Sequence, residues 1–378
     1  MPKPTRWKRA LPGADRLAGA RPADGTECRP CPARLYVESA GPLDMVGSFA
    51  NIAAFLFPNP NLPMNRRHFL RTTAAVTLAG FTIDRAALAA GPKRKILFFT
   101  KSSGFEHDVI SYKKGQPSFA EKVLTELGAK NNWEFTFSKD GSLFTPQWLA
   151  QFDALFFYST GDLCSPGTDG QPPMTPAGKQ ALLDYVASGK GFIGSHSASD
   201  TFHTNNEAKK GPDRYKNFGD AADPYVKMLG GEFIKHGAQQ KATMRAVDPK
   251  FPGMEKYAAG FEMHEEWYSL KDFRPDLHVL LVQETETMKG SDYARPAYPA
   301  TWTRMHGKGR VFYTSMGHRE DVWTSPIFQD ILTGGIAWAL GDAKADVTAN
   351  LSQVAPKWAE NPPFPPAAPA APAAAPKP

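Results

Sequence analysis

Apolar positions along the chain fall into short continuous runs separated by helical periods, beginning at Lys95-Ile96-Leu97-Phe98-Phe99-Thr100. Such a run is buried on both faces when it lies inside a parallel sheet, so it predicts the first strand. Phe119, Val123, Leu124 and Leu127 recur at helical spacing, Trp133 to Phe137 alternates like a strand, and Pro146 to Phe152 is a second helix candidate. Ala154 to Tyr158 is the third strand, Pro176 to Ser188 closed by Gly189 the third helix, and Gly191 to Gly194 the fourth strand. This alternation predicts an α/β domain built on a doubly wound, mostly parallel sheet with helices on both faces. The second half adds β pattern at 242–247, 267–270, 279–283, 300–304 and 310–315, and a last amphipathic helix spans Pro326 to Leu340.

The stretch ahead of the first strand carries a different pattern. Met64-Asn65-Arg66-Arg67-His68-Phe69-Leu70-Arg71 places an arginine pair before an apolar run from Thr72 to Ile83, followed by Ala87-Leu88-Ala89 with small residues at alternate positions. That is the layout of a twin-arginine export signal over 64–90 with a peptidase site at its end, and it predicts a periplasmic or otherwise exported protein whose mature chain begins near Ala90. Asp84 and Arg85 interrupt the run, which is too short for a stable membrane span. Residues 1–63 show no period and are expected to be upstream or leader sequence, with Met64 as the start. Cys28 and Cys31 in that stretch lack a strand-helix context, so their spacing carries no redox reading. At the other end, residues 343–378 are expected to form a Pro/Ala-rich tail, leaving one domain over 91–342.

Charge follows the same division. Residues 1–90 hold 12 Lys or Arg against 6 Asp or Glu, whereas residues 91–378 balance at 32 against 32. The basic excess thus lies outside the predicted domain and offers no argument for nucleic acid, so no nucleic-acid partner is expected. The expected partner is a small molecule.

The motifs of residues 95–341 resemble the ThuA-like family, named for trehalose utilisation. The residues that carry the resemblance are Gly104-Phe105-Glu106-His107-Asp108, the run Gly191 to Thr201, Leu229 to Phe233 with His236, Glu265-Glu266-Trp267-Tyr268, and a dense set at Ala300 to Arg304, Gly307 to Thr314, Gly317-His318 and Gly334 to Ala339. Ser195 departs from the aliphatic residue common there, and Glu265 from the usual Asp. The resemblance implies a variant of the class I glutamine amidotransferase architecture, related to flavodoxin-like sheets, and a carbohydrate substrate. Glutaminase activity itself requires a Cys nucleophile after a central strand. Here that turn reads Gly194-Ser195-His196-Ser197, and the only mature cysteine is Cys164, so this chemistry is not expected.

Ligands of doubly wound sheets bind at the carboxyl ends of the strands. His107, His196 and His318 each follow a predicted strand and are expected to converge there, with Asp200, Glu266 and Glu320 as the accompanying catalytic carboxylates. His236, Trp267, Tyr268 and Trp323 are candidates for holding the sugar. The imidazoles with Glu266 or Asp200 would make an open divalent-metal site, although no HExxH or comparable local spacing supports it, and the same residues suit acid-base work. His203 has little beyond its loop position, and His264, His278 and His306 are assigned to structure or surface. Together these features predict a protein acting on a disaccharide or keto-disaccharide, as a hydrolase, lyase or isomerase. A non-catalytic sugar-binding or accessory protein on the same fold is one alternative. A serine hydrolase using Ser195 or Ser197 with His318 and Glu320 is a second, although neither serine lies in a G-x-S-x-G turn.

Overall fold

The computed structural model describes residues 91–204 and 211–365, within one compact unit. The expected leader, signal peptide and terminal Pro/Ala segment lie outside them. The chain enters through β1 (Arg94–Phe99), and helix α1 (Phe119–Asn131) leads to β2 (Trp133–Ser138). The start of α1 is fixed by a reciprocal capping box in which Ser118 accepts from the Glu121 amide and Glu121 from that of Ser118. The short α2 (Pro146–Leu149), β3 (Ala154–Phe157), α3 (Pro176–Ala187) and β4 (Gly191–Ser195) follow in the expected order.

The second half contains α4 (Pro224–Leu229), β5 (Glu232–His236), β6 (Gln240–Ala246), β7 (Phe261–Glu265), β8 (Tyr268–Lys271), β9 (His278–Gln283), β10 (Tyr298–His306) and β11 (Gly309–Thr314). It closes with α5 (Glu320–Thr324), α6 (Pro326–Leu340) and α7 (Leu351–Val354). The main sheet runs β2-β1-β3-β4-β11-β10-β9-β6-β7, and β5 pairs with β8 separately. Strands β2, β1, β3, β4 and β11 are mutually parallel, the flavodoxin-like order, and the remaining pairs are antiparallel.

Alternating residues of the parallel strands feed two separate cores. Ile96, Phe98, Phe156, Ile193 and Phe312 pack with α1 and α6, whereas Leu97, Phe99, Leu155, Phe157, Phe192 and Val311 pack with α2, α3 and α4. Both sheet faces are therefore covered, which is why these strands read as unbroken apolar runs.

Five elements were not anticipated: α4, β5, β7, α5 and α7. The tail expected from residue 343 also begins as packed chain. Leu351 and Ala355 are buried, Asn350 exchanges side-chain hydrogen bonds with the Val279 backbone at 2.7 and 3.0 Å, and Asn361 donates to Tyr215 O at 2.8 Å. This segment docks because its few apolar residues fill a gap over β9, which a composition dominated by Pro and Ala further on conceals.

Candidate functional site

The loops after β1, β4 and β11 open at one edge of the sheet, and each delivers a histidine. His107 ends a loop pinned on both sides: Thr160 Oγ1 donates to Phe105 O at 2.9 Å, and the buried Lys139 ion-pairs with Glu106 at 3.0 Å. His196 directly follows β4 with φ of +44°, a left-handed conformation that a residue bearing Cβ rarely adopts. His318 follows the turn after β11. Glu266 comes from the link between β7 and β8.

These four side chains meet. The rings of His107, His196 and His318 have centroids 5.0, 5.2 and 5.3 Å apart. Glu266 Oε2 lies 3.4 Å from His196 Nε2 and 3.1 Å from His318 Nδ1, and its other oxygen lies 3.3 Å from Nδ1 of the half-exposed His236. One ligand-capable atom from each of His107, His196, Glu266 and His318 falls within 4.8 Å of the others.

Neighbouring groups lock the imidazoles. His196 Nδ1 is 3.0 Å from Ser315 O, and a carbonyl only accepts, so the proton sits on Nδ1 and Nε2 turns its lone pair to the cluster. Tyr268 OH is 3.4 Å from His107 Nε2. Burial, then the neighbouring His196 and His318, push His107 well below the usual histidine range. Burial also opposes charge on His318, but the Glu266 carboxylate outweighs it and raises this group. Glu266 is in turn held below the usual carboxylate range, since His196 and His318 outweigh its burial.

One contributor had no sequence signal for its role. Glu265 is fully buried; its Oε1 accepts from Glu266 N at 2.7 Å and its Oε2 from Gly317 N and His318 N at 2.9 and 3.1 Å. It therefore ties the end of β7 to the turn bearing His318, fixing two members of the cluster relative to each other. Burial raises this carboxyl above its ordinary range.

Several expected participants stand elsewhere. Glu320 is exposed at the first turn of α5, so the His-x-Glu spacing does not make a dyad with His318. Asp200 pairs instead with His203 at 2.6 Å and Arg214 at 3.3 Å, and His203 reaches Glu232 at 2.8 Å through its other nitrogen. His203 is thus a buried bridge between two carboxylates. Trp267 and Trp323 are fully buried in the core and spend their indole N–H groups on Gln240 O and Gly317 O, leaving no face for a sugar. Tyr268 lines the site, but its ring lies between Phe233 and His196, with centroids at 4.0 and 4.1 Å, so only its hydroxyl is presented. His278 bridges Thr348 O and Asp248 in a structural role. Ser195 Oγ donates to Met316 O at 2.7 Å, and Ser197 Oγ has no hydrogen-bond partner. Neither serine is paired with an imidazole.

Residues 95–339, well over half of the chain, match the family model described as ThuA, trehalose utilisation, and the chain belongs to this family. Similar solved structures include a ThuA-like protein from Bacteroides uniformis, at 19% identity over 68% of this chain and 96% of that one, with a TM-score of 0.49. A second, from Parabacteroides merdae, is 16% identical over 72% and 98% of the two chains, with a TM-score of 0.45. A cytoplasmic protein from Salmonella typhimurium gives 15% identity over 65% and 98%, with a TM-score of 0.41. None of the curated proteins compared with the chain matches it. Among the described residues, no helix is long and apolar enough to cross a membrane.

Proposed function

We propose that this ThuA-family chain is an exported enzyme that processes a disaccharide or keto-disaccharide in the pocket of His107, His196, Glu266 and His318. The observation that carries this reading is the convergence of three imidazoles and a carboxylate, from four separate segments, at the carboxyl edge of a flavodoxin-like sheet. Side chains brought together in this way, with ring nitrogens left unpaired, are costly to a fold and belong to a site. The carbohydrate class follows from the family's description, and export from the arginine pair and small-residue exit at 64–90.

The test is incubation of the purified protein with disaccharides and their oxidised forms, beside a His196→Ala variant. Turnover lost in the variant is expected. Binding without turnover by the wild type would favour the accessory-protein reading, and neither binding nor turnover across the panel would reject the carbohydrate class. Amino-terminal sequencing of exported protein tests the compartment, with a start near Ala90 expected and retention of Cys28 and Cys31 refuting it.

A further inference from the structure

One ring nitrogen on each of the three histidines of the cluster has no hydrogen-bond partner: His107 Nδ1, His196 Nε2 and His318 Nδ1, all inaccessible to solvent. A buried polar atom without a partner costs on the order of 1–3 kcal/mol, and three at one point form a concentrated penalty that a fold removes unless something occupies the point. An acid-base set would pair these nitrogens with each other or with the carboxylate. Glu266 is close enough to do so, yet its contacts with His196 and His318 do not align as hydrogen bonds.

The separations have another meaning. Two ligands held at about 2.0–2.1 Å on a tetrahedral metal stand about 3.3 Å apart, with neither directed along the line between them. Glu266 Oε2 stands 3.4 and 3.1 Å from its two imidazole neighbours. The other supports also suit metal ligands: Ser315 O fixes the tautomer of His196, Tyr268 OH approaches Nε2 of His107, and Glu265 holds the backbone on either side of the cluster.

We propose that His107, His196, Glu266 and His318 form a divalent transition-metal centre. Three imidazoles and one carboxylate favour borderline ions such as Zn(II), Co(II) or Fe(II) over Mg(II) and Ca(II), which take oxygen ligands. A bound ion would supply a Lewis acid for a hydroxyl or carbonyl oxygen of the substrate. His318 borders a cleft of about 370 Å³, lined also by Asp108, Gln239, Arg319 and Glu320, which gives substrate an approach to that side. This inference deepens the pocket reading above and rests on the same four residues being a functional site, but its test does not depend on turnover.

Full-length protein is stripped with chelator, dialysed, and titrated with Zn(II) and with Co(II). The expected result is binding of about one equivalent, a higher melting temperature with Zn(II), and visible Co(II) absorption bands of a low-symmetry nitrogen and oxygen site. His196→Ala and Glu266→Gln should weaken binding by at least about 10-fold, whereas His264→Ala, at an exposed position on β7, should not. Circular dichroism of the metal-free variants separates lost ligation from lost folding, and removing an imidazole whose one hydrogen bond is to Ser315 O should leave the metal-free chain folded. A wild type that binds neither ion, or folded ligand variants that bind as tightly as wild type, would overturn the proposal. Turnover of a sugar by metal-free protein would overturn it too, while leaving the carbohydrate reading in place.

Discussion

Glu265 offers the most direct test of how the site is held together. Its carboxylate accepts three backbone N–H groups, one from Glu266 and two from the Gly317-His318 turn, with no exposure to water. In Glu265→Gln one oxygen remains and the other becomes an N–H2 group. The amide will turn its oxygen toward the two donors of the turn, since that keeps two bonds rather than one. The Glu266 amide then faces a second donor and is left unsatisfied, and the two surviving bonds lose their charge assistance.

One lost bond plus one stranded buried donor amounts to about 2–4 kcal/mol. For a domain of this size each kcal/mol moves the melting temperature by about 2–4 °C, so a fall of about 4–16 °C is expected. Urea denaturation followed by tryptophan fluorescence checks the free energy, with an unchanged m value if only stability is affected. Metal or sugar binding should fall as well, since Glu266 and His318 lose their shared tether. A variant that melts within about 2 °C of wild type with binding intact would refute the claim that this carboxylate fixes the cluster.

The bridge of His203 between Asp200 and Glu232 predicts a pH window. Burial opposes charge on Glu232, but His203 and Lys271 outweigh it and hold the carboxyl at about 2, down from 4.5, so its contribution is complete above 4.5 and is lost as pH falls toward 2. His203 is raised above 6.5 because Asp200 and Glu232 outweigh its burial, so its contribution is complete below 6.5 and fades as pH rises through the folded value. Denaturation midpoints against pH should show both limbs, and Glu232→Gln should flatten the acid one; an unaltered acid limb would count against the bridge. Ending the chain at residue 365 should leave the melting temperature unchanged, whereas ending it at 348 removes Leu351 and the Asn350 pairing and should cost about 3–5 kcal/mol. Equal stability of the two truncations would mean that the docked segment contributes nothing. Ser195→Ala loses one hydrogen bond, worth about 1 kcal/mol, and should keep any turnover; abolished turnover in a folded variant would restore the serine hydrolase.

The parallel half of the fold was readable because its inner strands are buried on two faces, edge strand β2 alternates, and each helix has a periodic apolar side. Helix α6 has the bounds its pattern predicts, Pro326–Leu340. What escaped were elements whose sequence carries little contrast. In β5, Glu232-Phe233-Ile234-Lys235-His236 is half exposed and pairs only with β8; β7 is an edge strand with polar alternate positions. The histidines were legible because strand ends imply one edge, and Glu266 because it adjoins a motif. Glu265 was visible as a residue but not in its role, since its bonds reach a turn more than fifty positions away. Trp323 and Glu320 misled for a related reason: adjacency to charged or catalytic residues says nothing about which way a side chain faces once α5 begins.

The backbone at His196 departs from the ordinary rules of chain conformation. The turn after β4 takes a left-handed φ of +44° at a residue that carries an imidazole, at a conformational cost on the order of 1–2 kcal/mol. A glycine would remove that cost, and an aliphatic residue would remove the unpartnered Nε2. The chain accepts both penalties at one residue, surrounded by two further unpartnered imidazole nitrogens and a buried carboxylate that bonds only to backbone. A left-handed φ also occurs at Phe202 and an unpartnered buried atom at Thr100, among others, but it is their coincidence at one sheet edge that marks a working site rather than imperfect packing. On the proposal made above, the strained position at the end of β4 is the one that presents a metal ligand.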